Sequence, residues 1–406
     1  MKIFEKIKTD FKREFKLLGF SLMEQEMDYN TTTRIQRFLG NLVTTIKTKD
    51  YKTDNSAKEI RVLNHPVMER IDEDNFRKYI LFGKIVKKIS YIEKFKKENF
   101  KYFDKKYDDI YILRANSGEI YLTLTYVIDK LIERNQSKNP LLVATKKYHV
   151  DMIKMICPNI PFIYIKDIDL RFTGLEFKIE NFRFFYLFDN PHFQKVELDI
   201  KHKPFGEAHY FKSILDDLNM TYNDISMRTM IVPLQDEASM KEKVSKIGLN
   251  LDNFIFISPE AQSCKLYNED FWCELINILN KEGYDVFVNR VTKDVNLEYA
   301  TTFKSCNLTF AEAFALAKRA KRIISLRSGF TEFLIQTNTP MDVLYTKFRQ
   351  RHSFDDLDIT HVMSGFGLLT LPGINKDKIR EFNMFEVAPS TCINCIIKGI
   401  LNDDIN

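Results

Sequence analysis

The chain of 406 residues has one tryptophan, six cysteines, thirteen glycines and eleven prolines. Six cysteines in so long a chain do not resemble a disulfide framework, and a reduced cytoplasmic compartment is the expectation. No apolar run is long enough to cross a bilayer. The start, Met1-Lys2-Ile3-Phe4-Glu5-Lys6, lacks the unbroken apolar stretch of an export signal. There is no Gly-x-x-x-x-Gly-Lys loop for phosphate and no Gly-x-Ser-x-Gly elbow. No low-complexity tract and no repeat of solenoid period stand out. Net charge is +5, too small, with no recognisable binding motif, to suggest nucleic acid as a partner.

What is present is an ordinary globular balance, with 44% apolar and 29% charged residues. The length exceeds what one core organises, so two domains are expected. Residues 1–106 are rich in Lys, Glu and aromatics at helical spacing, which predicts a helical N-terminal extension. From Asp109 onward short apolar runs alternate with periodic segments: strand Ile110–Arg114, helix 119–134, strand Leu141–Thr145, helix 147–156 and strand Phe162–Ile165. Such alternation predicts βαβ units on a parallel sheet. A second set begins at Phe254–Ile257 and continues through helix Asp270–Lys281, strand Asp285–Asn289, helix Thr309–Arg319, and strands Arg322–Leu326 and Met341–Tyr345. The expected fold is α/β, with two Rossmann-like domains facing a cleft. The expected divisions are 107–235, 236–385 and a C-terminal helix in 386–406.

Chemistry in such folds gathers at the carboxyl ends of strands. There the first strand runs into Asn116-Ser117-Gly118-Glu119, so a carboxylate stands at a strand-to-helix turn where glycine permits close approach. Glu119 is the first candidate for a catalytic base. Its duller reading is an acid that favours the positive end of a helix. Ser258, Pro259, Ser263 and Lys265 occupy the equivalent place after Phe254–Ile257. Arg327, Ser328 and Gly329 come after another apolar strand, with Glu332 one turn on.

In this order the motifs resemble the heptosyltransferase-like glycosyltransferases, family 9 of the GT-B enzymes. The likeness rests on Gly118-Glu119, His209-Tyr210-Phe211-Lys212, Ile257-Ser258-Pro259 with Ser263 and Lys265, Leu308-Thr309-Phe310-Ala311-Glu312, and Ser325 to Gly329. It spans roughly residues 109–350. The chain departs from it where the family has Asp-Ser-Gly-x-x-His and this sequence has Arg327-Ser328-Gly329-Phe330-Thr331-Glu332. The helical extension also lies outside the family pattern.

The resemblance implies a glycosyltransferase using a nucleotide-sugar donor and a surface-glycan or lipid-linked acceptor, with inversion at the sugar carbon. Glu119 would be the general base, and Asn116, Ser117, Gly118 and His209 would face the acceptor. Ser258, Pro259, Ser263, Lys265, Thr309, Arg327, Ser328, Gly329 and Glu332 would hold the donor. Lys265 would supply a point charge and Arg327 a planar fork to the diphosphate, with Glu332 on the ribose. His209 has a structural role as its alternative. No cofactor is expected, since the nucleotide sugar is a substrate, and no metal. Asp167-Ile168-Asp169 and Asp356-Leu357-Asp358 read as solvated loops, and Cys392-x-x-Cys395 lacks the second pair of a zinc site. Lys2, Lys6, Lys8, Lys12, Arg13 and Lys16 interleave with apolar residues as in an amphipathic helix, which could lie on an anionic membrane. The rival readings are a non-catalytic nucleotide-sugar-binding scaffold and a transferase of another group, such as pyruvyl, on a similar two-domain fold.

Overall fold

A computed structural model describes residues 4–8, 12–17, 20–28, 33–39, 42–49, 56–73, 76–166, 168, 176–187, 209–262, 264–290, 295–347, 359–384 and 386–403. Residues 4–90 break about every twenty positions at an apolar residue next to Gly or Asn: Leu18-Gly19, Leu39-Gly40, Leu63-Asn64 and Phe82-Gly83. The segment between these breaks forms strands. They are β1 (Phe4–Lys8), β2 (Lys12–Leu17), β3 (Phe20–Asp28), β4 (Thr33–Phe38), β5 (Val43–Lys49), β6 (Ser56–Val62), β7 (His65–Glu73), β8 (Phe76–Leu81) and β9 (Lys84–Ser90). They pair in chain order as a nine-stranded antiparallel meander. Val62 pairs with His65 and Leu81 with Lys84, so these hairpin loops have two residues. Both residues of each loop have positive φ (Leu63 50°, Asn64 66°, Phe82 46°, Gly83 76°), the signature of a type I′ turn.

This sheet corrects the helical reading of residues 1–106. A spacing of four is even, so it suits one face of a strand as well as one face of a helix. Among the described residues of this segment, α-helix appears only at α1 (Tyr91–Asn99), capped by Ser90, whose side chain accepts from the Glu93 amide at 3.3 Å. Phe95 of α1 packs edge-on against Phe184 at 5.3 Å, tying the extension to the first parallel sheet.

The next region alternates as the sequence suggests. It comprises β10 (Asp109–Leu113), α2 (Ser117–Leu122), α3 (Ile128–Arg134), β11 (Pro140–Ala144), α4 (Lys147–Ile156), β12 (Phe162–Tyr164), β13 (Glu176–Ile179), β14 (Phe182–Leu187), α5 (Tyr210–Asp217) and α6 (Leu234–Lys246). A π turn over Thr123–Val127 joins α2 to α3, where the sequence predicts one continuous helix. Thr123 Oγ1 donates to the Glu119 carbonyl at 2.7 Å, competing with the helical ladder at that point. The sheet order is β12-β11-β10-β14-β13, parallel except for the edge strand β13.

A second parallel sheet completes the chain. It is built with β15 (Phe254–Ser258), α7 (Glu269–Lys281), β16 (Asp285–Val288), α8 (Phe310–Ala317), β17 (Arg322–Leu326), α9 (Gly329–Leu334), β18 (Met341–Tyr345), α10 (Ile359–Phe366), β19 (Ile379–Asn383) and α11 (Pro389–Asp403). Its order is β16-β15-β17-β18-β19. The central strands are buried at every position, hence their largely apolar sequences. One apolar cluster runs from Tyr111 through both helical layers to Ile393, Ile396 and Ile400 of α11. Among the described residues, none of the nine-stranded meander belongs to it or to the smaller cluster around Phe95.

Each parallel sheet anchors its amino-terminal end on a buried aspartate. Arg183 Nε and Nη2 donate to Asp109 at 2.6 and 2.7 Å. Arg380 Nε and Nη2 donate to Asp342 at 2.6 and 2.9 Å, and Arg322 Nη1 adds a third bond at 3.2 Å. The carboxyl ends are thereby left for the site. Strand order reverses between β10 and β14 in one sheet and between β15 and β17 in the other, the places where such folds open a crevice.

Candidate functional site

Those carboxyl ends converge on one cavity of about 780 Å³. Its wall from the first half is Asn116, Ser117, Gly118 and Glu119 after β10, Lys146 and Tyr148 after β11, and Tyr210 at the start of α5. From the second half come Ser258, Glu260, Gln262 and Cys264 after β15 and Asn289 after β16. The remaining polar wall is Thr309 before α8, with Arg327, Ser328, Gly329 and Glu332 after β17. Phe310, Phe330, Val362 and Phe366 add apolar surface.

The two halves meet through a glycine pair. A Cβ on Gly118 would stand 3.2 Å from the Gly329 Cα and closer still to the Glu332 carboxylate. One on Gly329 would stand 2.6 Å from the Gly118 amide nitrogen and from Ser117 Oγ. Only glycine at both positions lets the starts of α2 and α9 approach this closely.

That approach buries a polar cluster. Glu332 is 1% exposed and Arg327 5% exposed, and Arg327 Nη2 donates to Glu332 Oε1. The guanidinium also donates from Nε to the Phe366 carbonyl at 3.0 Å and from Nη1 to the Ser328 carbonyl at 2.7 Å. Tyr210 Oη donates to the Glu332 oxygens at 3.0 and 3.1 Å. Burial pushes the Glu332 carboxyl up, and the Arg327 charge opposes it. Ser328 caps α9, and its hydroxyl accepts from the Thr331 amide at 3.2 Å.

Glu119 lies beside this cluster in the first turn of α2, 9% exposed. Its carboxyl is raised from 4.5 to about 7, first by loss of water and then by the Glu332 charge; Lys146 and the local amides pull it down. A carboxylate poised near neutrality on a cavity wall can take and return a proton. Lys146 Nζ donates to the Ala115 carbonyl at 3.1 Å and to Asn116 Oδ1 at 3.4 Å, bracing the turn that carries Glu119.

The cavity thus gathers Glu119, Asn116, Ser117, Gly118, Ser258, Thr309, Arg327, Ser328, Gly329 and Glu332 from the sequence candidates. Pro259, Lys265 and His209 are not among its lining residues. Lys265 is exposed, with its backbone bonded to Lys347 and Thr346. His209 caps α5: Nδ1 accepts from the Phe211 amide at 3.3 Å, and Nε2 faces the Gly367 carbonyl at 3.2 Å and Thr370 Oγ1 at 2.7 Å. Burial lowers its pKa to about 4, so the ring is neutral and holds α5 to the Gly367 turn. Ser263, Asp167, Asp169 and Asp356 to Asp358 lie outside the described residues.

Sequence reasoning missed Tyr210, Lys146, Asn289 and the aromatic wall. The rule that picked Glu119 after β10 would have found Lys146 after β11 and Asn289 after β16. Among the described residues no group of three or more His, Cys, Asp and Glu is placed to hold a metal ion, and no helix is long and apolar enough to cross a membrane.

No family model matches the chain, and no curated protein matches it. Solved structures do. A glycosyl transferase family 9 protein from Veillonella parvula is 13% identical, with 58% of this chain and 80% of that one covered at a TM-score of 0.42. ADP-heptose heptosyltransferase II of E. coli is 12% identical, covering 73% and 99% at 0.45. TibC of enterotoxigenic E. coli, described as an iron-containing dodecameric glycosyltransferase, is 11% identical, covering 80% and 82% at 0.43. The chain is similar to family 9 heptosyltransferases, at low identity and over part of its length.

Proposed function

We propose that the protein is a glycosyltransferase of the GT-B type that moves a sugar from a nucleotide-sugar donor to a glycan or lipid-linked acceptor, with inversion and without a metal. The observation that carries this reading is Glu119, buried on the cavity wall with its carboxyl raised to about 7. In the proposed step the acceptor hydroxyl gives its proton to Glu119 and its oxygen bonds to the anomeric carbon. The carbon-to-phosphate oxygen bond breaks on the opposite face, and its electron pair leaves with the nucleoside diphosphate. Arg327 keeps a second N–H on each terminal nitrogen beyond those bound to Ser328 and Glu332, and these suit diphosphate oxygens. Thr309, Ser258 and Asn289 supply neutral polar groups nearby. The Phe310 and Phe330 rings, 5.0 Å apart edge to face, offer an apolar wall for a base or sugar face.

A second reading is a non-catalytic nucleotide-sugar-binding module. It is favoured by the engagement of Arg327 with Glu332 and by the position of Lys265 outside the cavity wall. Thermal-shift screening against nucleoside diphosphates and nucleotide sugars, with and without chelator, tests the donor site. A shift by one nucleotide that survives chelation and is lost in Arg327→Ala supports the proposal. No shift with any nucleotide overturns both readings, and a shift without turnover on any acceptor leaves the module.

A further inference from the structure

The nine-stranded meander has its charge sorted by face. Cross-strand registers put Arg34, Lys47, Lys58 and Arg70 directly opposite one another on β4 to β7, as one row across one face. Lys84 and Lys87 lie on the same face of β9. Asp72 is the one carboxylate among the described side chains of that face, and it pairs with Arg70 and Arg77. On the other face, described acids and bases pair, with Glu26 and Glu24 against Arg37 and Glu59 against Arg61. The row is crowded enough that Lys47 is pulled below the ordinary lysine range, by burial and then by Lys58, Arg34 and Arg70.

The alternate hairpins also end alike. The β4–β5, β6–β7 and β8–β9 loops all lie at one end of the sheet and carry Leu39, Leu63 and Phe82, exposed by 59, 66 and 72%. All three have positive φ, at 48, 50 and 46°. A left-handed conformation is unfavourable for an L side chain, and Asn or Gly is the favoured occupant. Exposed apolar side chains at strained positions are thus repeated in three loops. Phe38, Val62, Met68 and Leu81 extend this exposed apolar edge along the basic face.

We infer that this face docks on an anionic lipid bilayer. The three loop tips enter the headgroup region, and the cation row lies over the acidic headgroups. The contact goes beyond the proposed transfer reaction and does not depend on it. Each apolar tip that enters the interface favours binding by roughly tenfold, and each lysine near the surface by about fivefold.

The test is co-sedimentation of the full chain with phosphatidylcholine vesicles holding none or about a third phosphatidylglycerol. Leu39→Asn, Leu63→Asn and Phe82→Asn are made together, since Asn suits the left-handed positions and keeps the hairpins. Lys47→Gln with Lys58→Gln forms a second variant. The expected result is binding to the anionic vesicles only, lowered at least a hundredfold by the tip variant and more than tenfold by the lysine variant. The tip variant unfolds at the same urea concentration as the parent or at a higher one. Failure of the parent to bind anionic vesicles overturns the inference, and so does undiminished binding by the tip variant. A concentration-dependent dimer abolished by the tip variant, without vesicle binding, would instead make this face a contact between copies of the chain.

Discussion

Replacing Glu119 by Gln separates the energetics of the carboxyl from its chemistry. In the unfolded chain the group ionises near 4.5, and in the folded protein near 7. Below about pH 4.5 both states hold the proton and nothing is lost. Between these values the unfolded chain gives up its proton while the folded one keeps it, so stability falls as pH rises. Above pH 7 the full cost of the buried charge is present, about 3 kcal/mol at 1.36 kcal/mol for each tenfold difference. Glutamine keeps the shape and never ionises. Glu119→Gln should therefore be more stable than the parent by about 3 kcal/mol at pH 8, and by less than about 1 kcal/mol at pH 5. Equilibrium urea unfolding at the two pH values measures this. A variant less stable than the parent at pH 8, or a difference that does not change with pH, would refute the claim that the carboxylate is buried at a cost. Such a cost is what a positioned base demands and an ordinary helix-start acid does not.

Other substitutions probe the frame around it. Gly118→Ala places a methyl against Gly329 and Glu332 and should destabilise by about 1–3 kcal/mol in urea unfolding; parental stability would show that the two helix starts are not in contact. Asp342→Ala leaves Arg322 without its buried carboxylate partner and should cost about 3–5 kcal/mol by the same assay; a loss under about 1 kcal/mol would contradict the burial of that pair. Arg327→Lys keeps the charge but loses the fork that reaches Phe366, Ser328 and Glu332 together, so nucleotide affinity by calorimetry should fall about tenfold or more. An unchanged affinity would remove Arg327 from the donor site.

The α/β part was legible because buried parallel strands are written as short, largely apolar runs. Phe254–Ile257 and Met341–Tyr345 match β15 and β18 to within a residue. The turn at Gly118-Glu119 was legible for the same reason, since it comes directly after such a run. The meander was not, because none of its described residues joins a core, so no apolar burial pattern marks it. The available signal was in its turns, where Leu39-Gly40, Leu63-Asn64 and Phe82-Gly83 recur between stretches of alternating charge. The Arg327 to Glu332 pair was hidden differently. Each residue alone suits a ligand, and only the close packing of α9 on α2 turns the two toward each other and toward Tyr210. Lys265 comes after β15 as expected, yet its backbone is drawn to Lys347 beyond β18, and its side chain is exposed outside the cavity wall.

The most direct test compares the parent and Glu119→Gln for nucleotide-sugar binding by calorimetry and for sugar transfer to an acceptor, across pH 5 to 9. The account expects both proteins to bind the same donor within about twofold. Parental transfer should rise with pH through an ionisation near 7, and the variant should be slower by a factor of about 100 to 10,000. Equal transfer by the two proteins, or no nucleotide bound by the parent, would contradict it.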